Sequence, residues 1–248
     1  SDIEVTDNWI EPIINLMEDD VLISACQPKI LDYNNKNKFE YAGASGGYID
    51  NLGYPFCRGR IFETLENDNN QYDDIAEVFW ATGACLFIRS THFNEINGFD
   101  NDFFAHQEEI DLCWRLKNKG YKIMVNPNSI VYHVGGGTLD SSSPFKTYLN
   151  FRNNLFMLFK NLPPIELVKT VFIRLILDGV AALTFITKRK GLRHVLAILR
   201  AHIVFYLTIP HLIIKRQKIN QSSVLSGKYK WSILYKYYFK DQKKYSDL

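Results

Sequence analysis

Apolar residues recur at helical spacing in three segments of the first half of the chain. Trp9–Met17 and Glu108–Asn118 each place apolar side chains on one face, and Gly120 follows the second segment as a stop signal. Thr91–Ile96 predicts a shorter helix that ends at Asn97-Gly98. We therefore expect three helices before residue 120.

Short apolar runs between these segments predict buried strands. Val21–Cys26 and Ala84–Ile88 are nearly continuous apolar runs, and Lys122–Val125 and Ile130–His133 predict two more strands separated by Asn126-Pro127-Asn128. Residues 32–74 are rich in Asn, Asp and Gly, which is typical of long loops with brief strands.

The pattern changes after Pro163-Pro164. Leu167–Ile186 and Val195–Ile214 are long and mostly apolar, but neither is a clean run of about 20 apolar residues, and Pro210 interrupts the second. A narrow polar stripe recurs every four residues in the first stretch, formed by Glu166, Thr170, Arg174 and Asp178. Its last two members lie one turn apart and are expected to pair. Two interpretations remain open: packed core helices, or helices lying in a membrane interface.

Charge divides the chain at the same place. Residues 1–164 carry 13 Lys/Arg and 23 Asp/Glu, whereas residues 165–248 carry 16 Lys/Arg and 4 Asp/Glu. The basic surplus favours attraction to an anionic membrane surface. It does not favour nucleic acid, because the basic residues alternate with long aliphatic runs. We predict a domain over residues 1–162 and a basic, apolar helical tail over residues 163–248.

Composition and cysteine usage indicate a folded protein of a reducing compartment. Hydrophobic residues make up 46% of the chain and aromatic residues 14%, which excludes a disordered protein. The four cysteines are widely spaced and form no metal-binding or disulfide pattern: Cys26, Cys57, Cys85 and Cys113. We expect buried, reduced thiols in a cytosolic protein without a signal peptide.

The densest chemical signal lies at the start of the third predicted helix. Glu108, Glu109 and Asp111 place three carboxylates within four positions. A helix N-terminus favours negative charge, so a capping cluster explains them without any chemistry. The alternative is a general base, which glycosyl transfer to a hydroxyl group requires. A glycoside hydrolase is disfavoured, because its two carboxylates lie on opposite sides of the bond that is cleaved.

An ordered set of motifs over about residues 1–162 resembles the second half of family-2 glycosyltransferases, the rhamnosyltransferase-like members in particular. The set comprises Gly83–Arg89, Gly98-Phe99-Asp100, Phe103-Phe104, Glu108–Leu116, Gly120–Ile123, Pro127, His133–Gly136 and Arg152-Asn153. This resemblance implies an α/β domain of the glycosyltransferase A type, which is Rossmann-like. It also implies a nucleotide-sugar donor, Mg²⁺ or Mn²⁺, and inversion at the anomeric carbon.

The resemblance assigns the base to one position. The family's base is the second acid of a Glu-Asp pair, which corresponds here to Glu109. Glu is one methylene longer than Asp, so Glu108 remains an alternative. Asp111 is a candidate for substrate binding, although its spacing to Arg115 also suits a structural pair.

Two residues far apart in the sequence are candidate metal ligands. Asp2 matches the last acid of the family's Asp-x-Asp-like motif, and His133 ends a predicted strand. Imidazole, carboxylate and phosphate oxygens together suit Mn²⁺ or Mg²⁺. An unstructured terminal acid and a structural histidine are the alternatives. If Asp2 matches, we expect the domain to lack its preceding nucleotide-binding half in this sequence.

The remaining candidates concern substrate. A guanidinium fits phosphate oxygens at two points, so Arg152 is either a diphosphate contact or a residue that caps the fold. Trp80, just ahead of Gly83, is either a stacking surface for an acceptor sugar or a core residue. Gly135-Gly136-Gly137 provides the backbone freedom for a loop that closes over the donor.

The expected function is transfer of a sugar from a nucleotide-diphosphate donor to a hydroxyl group of a glycan or lipid-linked acceptor. We expect it in the cytoplasm, peripherally bound to the inner face of the cell membrane. The alternative is a non-catalytic module of a polysaccharide-synthesis system that binds acceptor or membrane.

Overall fold

The computed structural model describes residues 2–135, 143–187, 191–223 and 225–248. The helices are α1 (Glu11–Asp19), α2 (Ser90–Glu95), α3 (Glu108–Asn118), α4 (Pro144–Asn161), α5 (Pro164–Ile186), α6 (Gly191–Arg216) and α7 (Ile233–Phe239). The strands are β1 (Ile3–Val5), β2 (Ile23–Asp32), β3 (Gly47–Asp50), β4 (Pro55–Cys57), β5 (Arg60–Ile61), β6 (Thr64–Leu65), β7 (Ala76–Glu77), β8 (Phe87–Ile88), β9 (Lys122–His133) and β10 (Lys228–Tyr229).

The chain forms two compact units. The sheet unit comprises Ser1–Gly98, Leu112–Gly137 and Val224–Leu248, and the helical unit comprises Phe99–Asp111 and Thr138–Ser223. This division differs from the predicted boundary after residue 162, because the last residues of the chain return to a sheet. The predicted helical tail therefore contains β10, which pairs in parallel with β3.

The first sheet of the sheet unit has the strand order β1–β9–β2–β8, with β7 also paired to β9. β2 and β9 are parallel neighbours, and the other pairs are antiparallel. β2 is buried along almost its whole length; the apolar run Val21–Cys26 predicted its first residues, and the strand continues to Asp32. Ile13 and Met17 of α1 pack with Ile23 and Cys26 of this strand, so the first predicted helix covers the sheet.

A single strand replaces the two strands predicted around Pro127. β9 runs from Lys122 to His133, but its pairing with β2 passes from Asn126 directly to Ile130. Pro127 has no N–H group to donate, so the ladder has an irregularity there rather than an end. The strand thus continues to His133, whose partner on β1 is Ile3.

The second sheet has the strand order β10–β3–β4–β5–β6. β3 to β6 are short strands within residues 32–74, where long loops with brief strands were predicted, and β10 comes from the predicted tail. An aromatic cluster packs around Phe56, Ile61 and Ile233, and includes Tyr48 and Tyr229. The four cysteines are buried free thiols, as expected.

The helical unit is built from α4, α5 and α6. α4 is not among the helices predicted from the sequence, and it buries several polar residues along its length: Thr147, Asn153, Asn154, Lys160 and Asn161. α6 continues through Pro210, so the proline that interrupts the apolar stretch does not end the helix. Among the described residues, α6 is also the one helix whose length and composition would allow it to cross a membrane, although core helices can share both properties.

α5 has the reverse of the usual amphipathic arrangement. The polar stripe lies inside, since Thr170, Arg174 and Asp178 are at most 6% exposed. Arg174 and Asp178 form the predicted pair at 3.4 Å, and Asp178 also lies 3.1 Å from Nε2 of His202 on α6. Large apolar side chains lie outside along both helices: Ile165, Val168, Phe172, Ile176, Leu183, Leu192, Leu196, Leu199, Ile203 and Leu207. We call these side chains the apolar face.

Candidate active site

The two candidate bases begin α3, in the part of this helix that belongs to the helical unit. Among the described residues, the buried Oε2 atoms of Glu108 and Glu109 have no hydrogen-bond partner. Burial and the neighbouring Glu108 carboxylate raise the pKa of Glu109 to about 7. Burial likewise raises the pKa of Glu108. A carboxylate with a pKa near neutrality is suited to accept and release a proton at physiological pH.

The loop before α3 has an unusual backbone. Phe104, His106 and Gln107 all adopt left-handed conformations, with φ between 64° and 68°. Such conformations are costly for residues other than glycine and persist only where their surroundings fix them. Nε2 of His106 is also buried and without a hydrogen-bond partner in the described part of the chain. Burial, together with Lys146, lowers the pKa of this histidine.

Asn153 and Arg152 of α4 hold this loop. The Asn153 amide donates to the carbonyl groups of Phe103, Ala105 and His106 at 3.0, 2.8 and 2.8 Å. The Arg152 guanidinium donates to the carbonyl groups of Asp102 and Phe103 and to Oδ1 of Asn153. These contacts favour the interpretation of Arg152 as a residue that caps the fold. The sequence indicates Asn153 only as part of the Arg152-Asn153 motif, and no local pattern shows that its side chain is buried.

A second group of carboxylates in the helical unit is neutralised by lysines. Nζ of Lys160, which is 1% exposed, lies 2.9 Å from both carboxylate oxygens of Asp111 and also contacts Asp100. Lys215 of α6 contacts Asp100 and Asp102. Burial alone would raise the pKa of Asp100, but Lys160 and Lys215 hold it well below its ordinary value. Asp111 is fully buried in these contacts, so its position favours a structural role.

The two candidate metal ligands lie together in the sheet unit. The pairing of β1 with β9 places Nε2 of His133 3.2 Å from Oδ2 of Asp2. The other ring nitrogen of His133 lies 3.3 Å from Oε1 of the buried Glu40. A carboxylate behind a ligating imidazole orients the ring, so the arrangement fits a divalent cation. In the described part of the chain, no group of three or more His, Cys, Asp or Glu side chains could hold a metal ion, so other ligands would have to complete the site.

Trp80 is buried in the sheet unit and Gly83 is exposed. The Trp80 side chain packs against Gly47 and donates from Nε1 to the carbonyl oxygen of Tyr48 at 2.8 Å. With 3% of its surface exposed, it fits the core interpretation rather than that of a sugar-stacking surface. Gly83 lies in an exposed turn. Of the predicted glycine loop, Gly136 and Gly137 lie outside the described residues.

Comparison with known proteins identifies the relatives of this chain. The model of the family described as "Glycosyl transferase family group 2" matches residues 2–214. An N-acetylglucosaminyl-diphospho-decaprenol L-rhamnosyltransferase of Mycobacterium tuberculosis is 36% identical over 88 residues, which are 36% of this chain and 28% of that protein. The rhamnosyltransferase WbbL of Escherichia coli is 38% identical over 50 residues, 20% of this chain and 19% of that one. The matches thus cover only about a quarter of these relatives.

A solved structure is also similar, that of GalNAc-T7 with UDP, GalNAc and Mn²⁺. It has a TM-score of 0.47 and 15% identity, and the match covers 65% of this chain and 30% of that chain. The family match, with the mixed sheet and its flanking helices, confirms the predicted α/β domain and the predicted family resemblance.

Proposed function

The chain belongs to glycosyl transferase family group 2, and from this premise we propose that it transfers a sugar from a nucleoside-diphosphate donor to a hydroxyl group of a lipid-linked or glycan acceptor. The observation that carries the proposal is the Glu109 carboxylate at the start of α3, with its pKa raised to about 7. The N-acetylglucosaminyl-diphospho-decaprenol acceptor in the name of the mycobacterial relative supports the choice of a lipid-linked acceptor.

Glu109 serves as the general base in this proposal. Its ionised carboxylate accepts the proton of the acceptor hydroxyl as the oxygen attacks the anomeric carbon, and the donor diphosphate leaves from the opposite side. Attack opposite the leaving group inverts the configuration. Glu108 is the alternative base. The negative charge of Glu108 raises the pKa of Glu109, so the ionised Glu109 carboxylate is a stronger base.

Asp2 and His133 are the proposed protein ligands of Mg²⁺ or Mn²⁺. The bound cation would offset the negative charge that develops on the leaving diphosphate. Asp2 supplies a carboxylate oxygen, His133 supplies Nε2, and Glu40 orients the ring from the other side. Oxygens of the donor diphosphate would complete the coordination.

The apolar face supports peripheral binding to the membrane. A helix with its ionisable residues inside and its large apolar residues outside is stable where the surrounding solvent is hydrocarbon. The excess of Lys and Arg after residue 164 adds attraction to anionic lipid headgroups. We place the protein in the cytoplasm, on the inner face of the cell membrane.

Calorimetric titration with UDP and dTDP, with and without Mn²⁺, tests the donor site. The proposal expects metal-dependent binding that Asp2→Ala and His133→Ala each weaken by about tenfold or more, because each variant removes a charged or coordinating ligand. Asp7→Ala, which removes an exposed acid of the sheet unit, is the matched control and should bind normally. Equal affinities in all variants would exclude these ligands.

Co-sedimentation with vesicles tests the membrane proposal. Phe172→Glu and Leu183→Glu place a charge on the apolar face and should release the protein from phosphatidylglycerol vesicles. Val21→Glu makes the same change at an exposed apolar residue of the sheet unit and should not release the protein.

Extraction of the native protein from membranes by alkaline carbonate is expected, and resistance to extraction would instead indicate that α6 spans the bilayer. Acceptor binding without any nucleotide binding would favour the non-catalytic module.

A further inference from the structure

A groove of about 330 Å³ opens between α4 and α6 within the helical unit. Its lining residues include Phe145, Tyr148, Arg193, Leu196 and Arg200. Arg193 and Arg200 are seven positions apart, which is two helical turns, so they project from the same side of α6. The groove therefore has two guanidinium groups along one wall and aromatic rings on the other.

The two arginines are available for an anionic ligand. Both are exposed, and neither forms an ion pair with any carboxylate among the residues that the structure describes. The Arg200 guanidinium lies 4.6 Å from the centre of the Tyr148 ring, which fixes its direction without satisfying its charge. Guanidinium groups bind phosphate oxygens in two-point contacts, so two of them on one wall suit a diphosphate better than a single phosphate.

The rest of the groove is suited to hydrocarbon. Phe145 stacks on Tyr148, with the ring centres 6.1 Å apart. Leu196 is 56% exposed, and its neighbours Leu192 and Leu199 on α6 are exposed as well. These leucines belong to the apolar face. A ligand that fills the groove thus has an anionic head at the arginines and an apolar chain that continues along α6.

The groove adjoins the loop that carries the candidate base. The exposed Phe104 ring lies 6.1 Å from that of Phe145, and Ala105 packs on the cluster of Tyr148, Leu149, Ala197 and Ala201. Phe104 and Ala105 precede Glu108 by four and three residues in the loop that Asn153 holds. A sugar attached to a diphosphate in the groove would therefore lie next to the loop that leads into α3 and Glu109.

We propose that this groove binds the diphosphate of a lipid-linked sugar acceptor, with Arg193 and Arg200 on the phosphate oxygens and Phe145, Tyr148 and Leu196 against the start of the lipid chain. The identity of the acceptor rests on the proposed function, whereas the recognition of a lipid diphosphate does not. The groove would present the sugar hydroxyl to the base while the chain remains in the membrane.

Titration of the full chain in mild detergent with farnesyl diphosphate tests the proposal. Arg193→Gln and Arg200→Gln should each weaken binding about tenfold or more, since a charged hydrogen-bonded contact is lost. Lys218→Gln removes the same charge from an exposed position of the helical unit and should bind like the native protein. Farnesol and inorganic diphosphate, which each supply half of the ligand, should bind much more weakly than farnesyl diphosphate.

Two comparisons separate the possible failures. One outcome is that Arg193→Gln, Arg200→Gln and Lys218→Gln all weaken the binding of farnesyl diphosphate by the same factor, and weaken the binding of phosphatidylglycerol by that factor too. The arginines would then contribute only general positive charge, and the proposal would be overturned. It is equally overturned if the two arginine variants bind normally. Glu109→Gln should bind farnesyl diphosphate like the native protein. Groove binding that persists without any sugar transfer would refute the proposed function and leave the lipid-diphosphate site standing.

Discussion

Two groups of carboxylates lie close together in the sequence of the helical unit and differ in their partners. Asp100 and Asp111 share the buried ammonium group of Lys160, and the pKa of Asp100 is held low. Glu108 and Glu109 lie only a few residues away but have no lysine partner in the described part of the chain, and their pKa values are raised. Carboxylates with a fixed cation stabilise the fold, whereas carboxylates without one remain able to exchange a proton.

The largest effect should follow from removal of the unpaired carboxylate. Glu109→Gln should lower the rate of sugar transfer about 10²- to 10⁴-fold, the usual contribution of a general base. Its melting temperature should change little or rise, because a buried carboxylate whose Oε2 has no hydrogen-bond partner among the described residues is replaced by a neutral amide. Transfer from UDP- and dTDP-sugars to a lipid-diphosphate-linked acceptor is the measurement.

Glu109→Asp is the matched control, because it restores the residue that the family pattern has at this position. It should retain most of the rate. If instead Glu108→Gln abolishes transfer and Glu109→Gln does not, the base is one residue earlier.

The second effect concerns the paired carboxylates. Lys160→Met removes the buried cation that Asp100 and Asp111 share and leaves Asp100 with Lys215 alone, which should lower the free energy of unfolding by about 3–5 kcal/mol. Lys218→Met, at an exposed position, should change it by less than about 0.5 kcal/mol. Urea denaturation measures both. A stable Lys160→Met protein would show that Asp100 and Asp111 do not depend on this lysine.

The contrast between the two groups also explains what the sequence could predict. α3 was predicted with its observed bounds, Glu108–Asn118, because apolar spacing and the glycine stop are local signals. α4 was not predicted, because its buried face includes Asn153, Asn154 and Lys160, which look like exposed positions until their partners are known. Those partners are 47 to 60 residues distant in the sequence, and no local pattern encodes them.

The candidate site was predicted unevenly for the same reason. The resemblance placed Asp2 and His133 in one site, and the structure brings them within 3.2 Å. Trp80 was assigned two alternatives, and only the structure shows the ring against Gly47. The inward position of the α5 polar stripe is likewise visible only in the structure. The spacing of the polar residues shows that a stripe exists, but it does not show which side of the helix faces α6.

A smaller effect should appear in the pH dependence of transfer. Because the pKa of Glu109 is raised to about 7, its carboxylate is mostly protonated below that pH and mostly ionised above it. kcat/KM should therefore rise about tenfold per pH unit below pH 7 and become level above it. Glu108→Gln removes the neighbouring charge and should move the midpoint to lower pH. A profile that is flat between pH 5 and 8 would contradict the base assignment.

The smallest effect is expected at the edge of the paired group, where solvent reaches the ions. Lys215 and Asp102 are 26% and 30% exposed, so water and salt screen their attraction. Lys215→Met should lower the free energy of unfolding by only about 1 kcal/mol, and the difference should shrink at high salt. Lys215→Arg should recover most of the loss. A loss as large as that of Lys160→Met, insensitive to salt, would show that Lys215 belongs to the buried group, and that α6 helps to fix the loop that precedes the base.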